Sequence, residues 1–357
     1  MSEHLYESLL IDTIDGIQCK VYSNSHPDGK IIVKPKYIPI DKANFVDLKK
    51  RFIFSKGMFR FNLFTNKESA TTNLSEFKLK FPDYYFQDEK HQNWFLVVPK
   101  DKIKEIKDPK TGLNEFMKVP ETDLDPYLKA VRGIVGLILD SGIPLDKIGL
   151  NHSTLLSNYT PGKSDIDLVV YGKENGWKAV NFLSTVQNER LTWKTEDDWR
   201  KYYRDRIVSK NFNENEYAAN MVQKKDDGFI DGNVFSIFVV EEPEESWYSW
   251  EDEHIPLGTV KVRGSVIEDY NSIVRPGYYE IKNSEIIEGS NVEVKRIVTW
   301  SRPFVLQAKK ADNVEAVGLL EKVKTKSGEE FHQVVLGYFD TYSDERGEKE
   351  YLKKLIN

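Results

Sequence analysis

The sequence predicts an α+β protein in three parts: a β-rich N-terminal module over residues 1–118, a central unit over 119–250 in which helices and strands alternate, and an antiparallel β module over 251–357. Three observations carry that division. Short β-type runs crowd both ends of the chain, one strongly periodic helix opens the middle, and turn dipeptides punctuate the flanks. A length of 357 residues suits two or three domains, and 18 Tyr, 19 Phe and 7 Trp are ample for their cores, which excludes a disordered chain.

In the first part, Asp15-Gly16 and Asp28-Gly29 separate the apolar runs Ile17–Tyr22 and Ile31–Val33, the pattern of hairpins. Met58–Phe64 and Trp94–Val98 read as further strands, the latter closed by Pro99, and Thr72–Lys80 as a short helix. In the middle, Leu128, Val131, Ile134, Val135, Ile138 and Leu139 recur at spacings of three and four, the mark of an amphipathic helix. Asp125-Pro126 caps its start, and Gly142 with Pro144 ends it. A strand over 147–151, a Pro161-Gly162 turn and a strand over Ile166–Tyr171 follow. Helices are expected from about Asn175 to Gln187 and from Thr195, and a strand over Val234–Val240.

Glu241 to Glu253 holds seven carboxylates, no basic residue and two tryptophans, and reads as an exposed linker whose indoles hint at docking. Beyond it, Val294–Trp300, Phe304–Ala308, Glu315–Val323 and Phe331–Tyr338 read as successive antiparallel strands, with a closing helical turn over Tyr351–Ile356.

Charge is uneven. Residues 1–118 hold 20 basic and 16 acidic side chains, residues 119–300 hold 21 and 31, and the whole chain carries −6. A basic first third suits a polyanionic partner; it equally solvates a charged surface. Lys49-Lys50-Arg51-Phe52, Lys56 and Phe59-Arg60-Phe61 mix cations with aromatic rings, as surfaces that stack bases do. The lone Cys19 excludes an internal disulfide, and no apolar run is long enough to span a bilayer. With no signal-peptide pattern in MSEHLYESLL, a cytoplasmic location is the expectation.

One motif carries chemistry. In Ser164-Asp165-Ile166-Asp167-Leu168-Val169-Val170, strand alternation sends Asp165 and Asp167 to one side and Ile166, Leu168 and Val170 to the other. Two carboxylates one strand repeat apart form a hard-oxygen site suited to Mg²⁺, which binds through one or two protein carboxylates plus substrate phosphates.

With Gly149-Leu150-Asn151-His152-Ser153 upstream, Ser164–Leu168 resembles the signature of the DNA polymerase β-like nucleotidyltransferase superfamily, a Gly-Ser on a short helix ahead of an Asp-x-Asp strand. More closely, the chain is similar to a family of archaeal predicted nucleotidyltransferases. Ser164–Gly172 carries that likeness in the centre; Val298–Arg302, Gly318–Val323 and Val335–Gly337 carry it near the C-terminus. Ile38-Pro39, Phe81–Tyr84 and Val98-Pro99 carry it in the N-terminal third.

The resemblance implies a central nucleotidyltransferase-like mixed sheet and transfer of an NMP from an NTP to a hydroxyl acceptor, RNA among them. It implies Mg²⁺ or Mn²⁺ on Asp165 and Asp167, and His152, Ser153 and Ser164 at the nucleotide. Asp231 is the candidate third catalytic carboxylate. Two departures favour an alternative, a weak or inactive relative that binds RNA or a ribonucleoprotein. His152 stands where the family has glycine, and Ser236 stands where a later strand would carry an acid.

Overall fold

The computed structural model describes residues 5–39, 53–54, 58–61, 67–206, 212–342 and 345–355. Its N-terminal sheet contains β1 (Leu10–Thr13), β2 (Gln18–Val21), β3 (Lys30–Pro39), β4 (Ile53–Phe54) and β5 (Met58–Arg60). After helix α1 (Lys67–Lys80) it continues with β6 (Tyr85–Asp88), β7 (Asn93–Pro99) and β8 (Ile103–Lys107). The strand order is β4-β5-β3-β2-β1-β8, with β7 also on β3 and β6 on β7. The Asp15-Gly16 turn closes the β1–β2 hairpin as expected. The basic-aromatic stretch at 49–52 and Lys56 lies outside the described residues.

The central unit begins earlier than residue 119. Helix α2 (Pro109–Met117), capped by the Asp108 carboxylate, contributes Leu113 to the central core. Helix α3 (Pro126–Asp140) starts as its sequence dictates: the Asp125 side chain accepts from Leu128 N, and Pro126 occupies the first turn, where no N–H is needed. Gly142 takes φ +80° just past its end, a conformation cheap only for glycine. The order continues through β9 (Ile148–Leu150), α4 (His152–Leu155), β10 (Ile166–Tyr171), α5 (Lys173–Thr185), β11 (Leu191–Trp193), α6 (Glu196–Arg206) and α7 (Glu214–Met221). It ends with β12 (Asp227–Ile230) and β13 (Asn233–Val240). Thr195 and Asp198 cap α6 reciprocally, each side chain bonded to the other's backbone N–H.

These strands form one mixed sheet, β11-β12-β13-β10-β9. Strand β10 runs antiparallel to β9 and parallel to β13. Ile166, Leu168 and Val170 join the core under α3 with Phe235, Ile237 and Val239, while Val169, Tyr171 and Val240 pack on the opposite face. The alternation expected for the Asp-x-Asp strand is therefore present, and it assigns Asp167 to the face away from the central core.

The C-terminal part consists of β14 (Glu253–Glu268), β15 (Gly277–Glu288), β16 (Arg296–Thr299), β17 (Asn313–Lys324), β18 (Glu330–Leu336) and β19 (Tyr351–Lys354). Pairing runs β14-β15-β16-β18-β17 and returns from β17 to β14, which closes a five-stranded barrel. Its interior holds Val262, Tyr279, Ile297, Ala316, Leu320 and Val334. The expectation of an all-antiparallel module is corrected at one pair, because β16 and β18 are parallel. Arg302–Phe304 is a 3₁₀ turn, where Phe304–Ala308 was expected to be a strand. Tyr351–Lys354 is a strand on β17 rather than a helical turn, since Tyr351 and Leu352 bury their side chains against the barrel.

The acidic segment after β13 is docked, against the expectation of an exposed linker. Tyr248 and Trp250 enter a core shared by the N-terminal sheet and the outer face of the barrel, with Phe95, Trp300, Val335 and Tyr338. Within it His91 and His254 stack at 4.7 Å, partnered by Asp88 at 2.7 Å and Glu321 at 3.1 Å. Among the described residues no helix is long and apolar enough to cross a membrane.

Candidate active site between three modules

Asp165 immediately precedes β10 and is exposed. Its backbone carbonyl accepts a bond from the Tyr127 hydroxyl at 3.0 Å, and the same hydroxyl lies 2.8 Å from Thr154 Oγ1 on α4. One buried tyrosine on α3 thus fixes both the short helix and the start of the Asp-x-Asp strand. Asp167 follows, its side chain 17% exposed, with Oδ2 3.0 Å from His152 Nδ1.

His152 opens α4 with φ +49°. That left-handed conformation favours glycine, so the side chain at 152 is carried at a cost to the backbone. Its ring lies edge-on to Phe238 at 5.5 Å, and Nε2 is buried with no hydrogen-bond partner among the described residues. Burial, reinforced by the Lys36 charge, pushes the imidazole down to about 3, against the opposing pull of Asp167. The ring is therefore neutral at physiological pH. Burial opposes ionisation of Asp167, yet His152 together with the Lys36 and Arg302 charges holds that carboxyl below its ordinary value.

The remaining expected site residues divide. Ser153 is the second residue of the same short helix, half-buried, and its hydroxyl makes no hydrogen bond among the described residues. Ser164 is used internally: its Oγ accepts from Thr160 N at 2.8 Å and closes the turn before the motif. Asp231 is not brought to the motif. It sits in the β12–β13 turn with φ +49°, forked by Arg190 at 2.9 and 2.6 Å, beside a groove of about 510 Å³ along α3. At least three ladder rungs, ~10 Å, separate it from the level of Ser236.

Ser236 lies directly opposite Asp167 on the parallel strand β13, and Asp227 lies opposite Ser236 on β12. A carboxylate does occur in that row, one strand beyond the position the resemblance implies. Its charge is already paired, because Lys194 Nζ is 2.6 Å from Asp227 and Arg302 Nη2 lies 3.9 Å from it. Among the described residues no three His, Cys, Asp or Glu side chains are grouped to hold a metal. The donor set at Asp165 and Asp167 fits one hard cation that completes its shell with water and phosphate oxygens, and does not fit a pair of metals.

The opposite wall was not legible in the motif. Lys20 on β2 faces Lys34 across the β2–β3 ladder, and Lys36, the extra residue where that ladder shifts register, lies close enough to Asp167 and Lys20 to feel their charge. From the barrel side, the Arg275 and Arg302 guanidinium groups lie 5.3 and 4.2 Å from the Phe238 ring, and Lys20 Nζ lies 4.6 Å from it. Phe238 is two residues beyond Ser236 on one strand face, so this cationic wall stands over the Asp167–Ser236 row. Lys34-Pro35-Lys36 inside an apolar run was the signal available in the sequence. Arg275 and Arg302 had none, since only the tertiary fold brings them in. A second cavity, about 740 Å³, opens between α2, α3 and α4, lined by Phe116, Leu128, Leu155 and Tyr159 beside the turn that precedes Asp165.

No family model matches this chain, and no solved structure matches it. It is similar to the uncharacterized protein MJ1086 of Methanocaldococcus jannaschii, 28% identical over 332 residues that cover 92% of this chain and 94% of the relative. The shared length spans all three parts.

Proposed function

We propose that the protein is a metal-dependent nucleotidyltransferase that moves an NMP from an NTP to a hydroxyl acceptor. The observation that carries this reading is the setting of Asp165 and Asp167. They lie at the start of the strand flanked by antiparallel β9 and parallel β13, in the order helix, strand, short helix, strand, helix, strand. The two carboxylates would hold one Mg²⁺ or Mn²⁺, which would supply charge neutralisation at the transferring phosphoryl group. This chain's own residues prepare the rest. Tyr127 fixes the Asp165 backbone, and His152, ahead of the Lys36 and Arg302 charges, holds the Asp167 carboxyl below its ordinary value.

The test is incorporation of α-labelled NTP into RNA or small hydroxyl acceptors by the purified full chain. Wild-type protein should give label that requires Mg²⁺ or Mn²⁺ and disappears in the Asp165→Asn/Asp167→Asn double variant. Label that persists in the double variant, or none with wild type and any of the four NTPs, ends this reading.

A second reading is favoured by one specific observation, the serine opposite Asp167. Without a carboxylate beside Asp167 on β13, the same fold serves as an inactive RNA- or ribonucleoprotein-binding factor. It is expected to bind RNA with an affinity that falls with salt and is unchanged by Asp165→Asn. RNA binding that resists high salt counts against it.

A further inference from the structure

We infer that His91 and His254 form a proton-operated latch: as neutral rings they hold the segment 248–252 between the N-terminal sheet and the barrel, and in mild acid they release it.

The latch stands where three segments meet. Asp88 ends β6 and His91 lies in the turn before β7, Tyr248 and Trp250 come from the docked acidic segment, and His254, Glu321 and Gln333 belong to β14, β17 and β18. His91 is fully buried, stacked on Trp250 at 4.1 Å and on His254 at 4.7 Å, with Phe95 edge-on at 5.4 Å. Hydrogen bonds decide where its proton sits. Asp88 only accepts, and its Oδ2 is 2.7 Å from His91 Nδ1, so the neutral ring carries its proton there. Nε2 then accepts from the Tyr248 hydroxyl at 2.7 Å, which ties the acidic segment to the N-terminal sheet. His254 repeats the pattern, with Nδ1 3.1 Å from Glu321 Oε2, and its backbone N–H donates to Lys90 O at 2.8 Å.

A second proton has no good place in this arrangement. On His91 it must go to Nε2, where the new N–H meets the Tyr248 hydroxyl and the bond from that hydroxyl is lost or reversed. The charged ring then lies against another imidazole in a site closed to water. On His254 the proton also goes to Nε2, which is buried with no hydrogen-bond partner among the described residues, so the new donor is left unsatisfied. Departure of Tyr248 and Trp250 opens the stack to water and removes these costs. Proton uptake and release of the segment are therefore linked.

The other charged groups around the rings do not supply the switch. Burial opposes ionisation of Asp88 and Glu321, yet hydrogen bonds from His91 to the one, and from His254 and Gln333 to the other, hold both carboxyls below their ordinary values. Lys90 pairs with Glu251 on the exposed rim, Asp252 accepts from Lys326 N, and Arg296 Nε donates to Gln333. Burial raises the Tyr248 hydroxyl, with Tyr338 beside it, far out of this range. Burial also holds the His91 imidazole below its ordinary value, with His254 adding to it, against the Asp88 hydrogen bond. A histidine with a lower value docked than released supports docking fully above about pH 6.5, and that support is lost as pH falls through the docked value. Glu241, which burial raises, acts in the opposite direction, so a release in acid is not its work.

The experiment is amide hydrogen exchange of the full chain at pH 7 and pH 5, corrected for the intrinsic pH dependence of exchange and read by mass spectrometry. In wild type, protection of 248–252 should fall about tenfold at pH 5 relative to helix α3, of the order a single proton taken up on opening gives. His91→Gln keeps a donor for Asp88 and takes no proton, so its fall should be less than about twofold. His254→Gln keeps a donor for Glu321 and leaves the His91–Tyr248 bond in place. It should shrink the fall, because His91 then takes its proton with no second imidazole charge against it. Equal protection of 248–252 at the two pH values in wild type would overturn the inference, as would the full wild-type fall in either variant.

Discussion

Asp167 and Ser236 face each other across the parallel pair β10 and β13, the only parallel pair in the central sheet among the described residues. Neighbouring strands are ~4.8 Å apart, so an acid in place of Ser236 would lie within shared reach of a cation held by Asp167. Ser236→Asp is therefore expected to tighten Mn²⁺ binding at least tenfold, read by calorimetry or by the metal's electron-spin signal. Asp231→Asn should leave it unchanged, because Asp231 is committed to Arg190 in the β12–β13 turn. Equal effects of the two substitutions would contradict this assignment of the row.

His152 gives a second prediction, resting on backbone conformation. At φ +49° a Cβ costs ~1 kcal/mol or more that glycine avoids. Both His152→Gly and His152→Ala lose the contacts to Asp167 and Phe238, but only alanine retains the conformational penalty. His152→Ala should then be less stable than His152→Gly by about 1 kcal/mol in urea unfolding, the reverse of the order expected inside a helix. If alanine is the more stable of the two, the left-handed conformation at residue 152 is wrong.

How much of this could be read from the sequence depends on where each determinant lies along the chain. Helix α3 and strand β10 were legible because caps, periodicity and core pattern occur within one window of residues. The Asp165–Asp167 pair was legible for the same reason. Helix α7 escaped because its pattern, Glu214–Met221, is short and gets much of its anchorage from Trp199 and Tyr203 on the preceding helix and from distant Tyr351. The barrel's parallel pair and the strand at Tyr351 escaped because register is decided by partners 34 to 40 residues away. The cationic wall needed all three parts to be folded, which no local pattern records. Asp231 was attractive by position in the sequence alone; the turn that carries it points it to Arg190.

Tyr127 supplies a third prediction. Its hydroxyl is the shared partner of Thr154 Oγ1 and the Asp165 carbonyl, and the residue is only 1% exposed. Tyr127→Phe deletes one oxygen and leaves both groups short of a partner, which should cost about 1–2 kcal/mol. Because the loss falls at the start of β10, any nucleotidyl transfer should drop through kcat more than through KM. A stability loss with unaltered kcat would confine Tyr127 to holding α4.

Glu241 joins the three parts and makes their union pH-dependent. It is 2% exposed at the end of β13, 3.2 Å from Lys173 Nζ and 3.4 Å from Asn24 Nδ2. The same Lys173 reaches Asn271, so N-terminal, central and C-terminal segments meet on one ion pair. Burial pushes the Glu241 carboxyl up to about 7, against the pull of Lys173 and the Asn24 bond. A carboxyl whose folded value lies above its unfolded value binds its proton more tightly when folded. Its contribution is then complete below about pH 4.5 and is lost as pH rises through about 7. Glu350 is raised similarly, by burial, to about 7, and adds to the same slope from the barrel side. As pH rises from 5 to 8, Glu241→Gln should therefore lose less Tm, or gain more, than wild type, while Glu350 and the lowered His91 and His152, which pull in opposite directions, act alike in both proteins. Scanning calorimetry at fixed ionic strength reads both curves. Parallel curves for wild type and Glu241→Gln would mean that the carboxyl at this junction does not titrate in the folded protein.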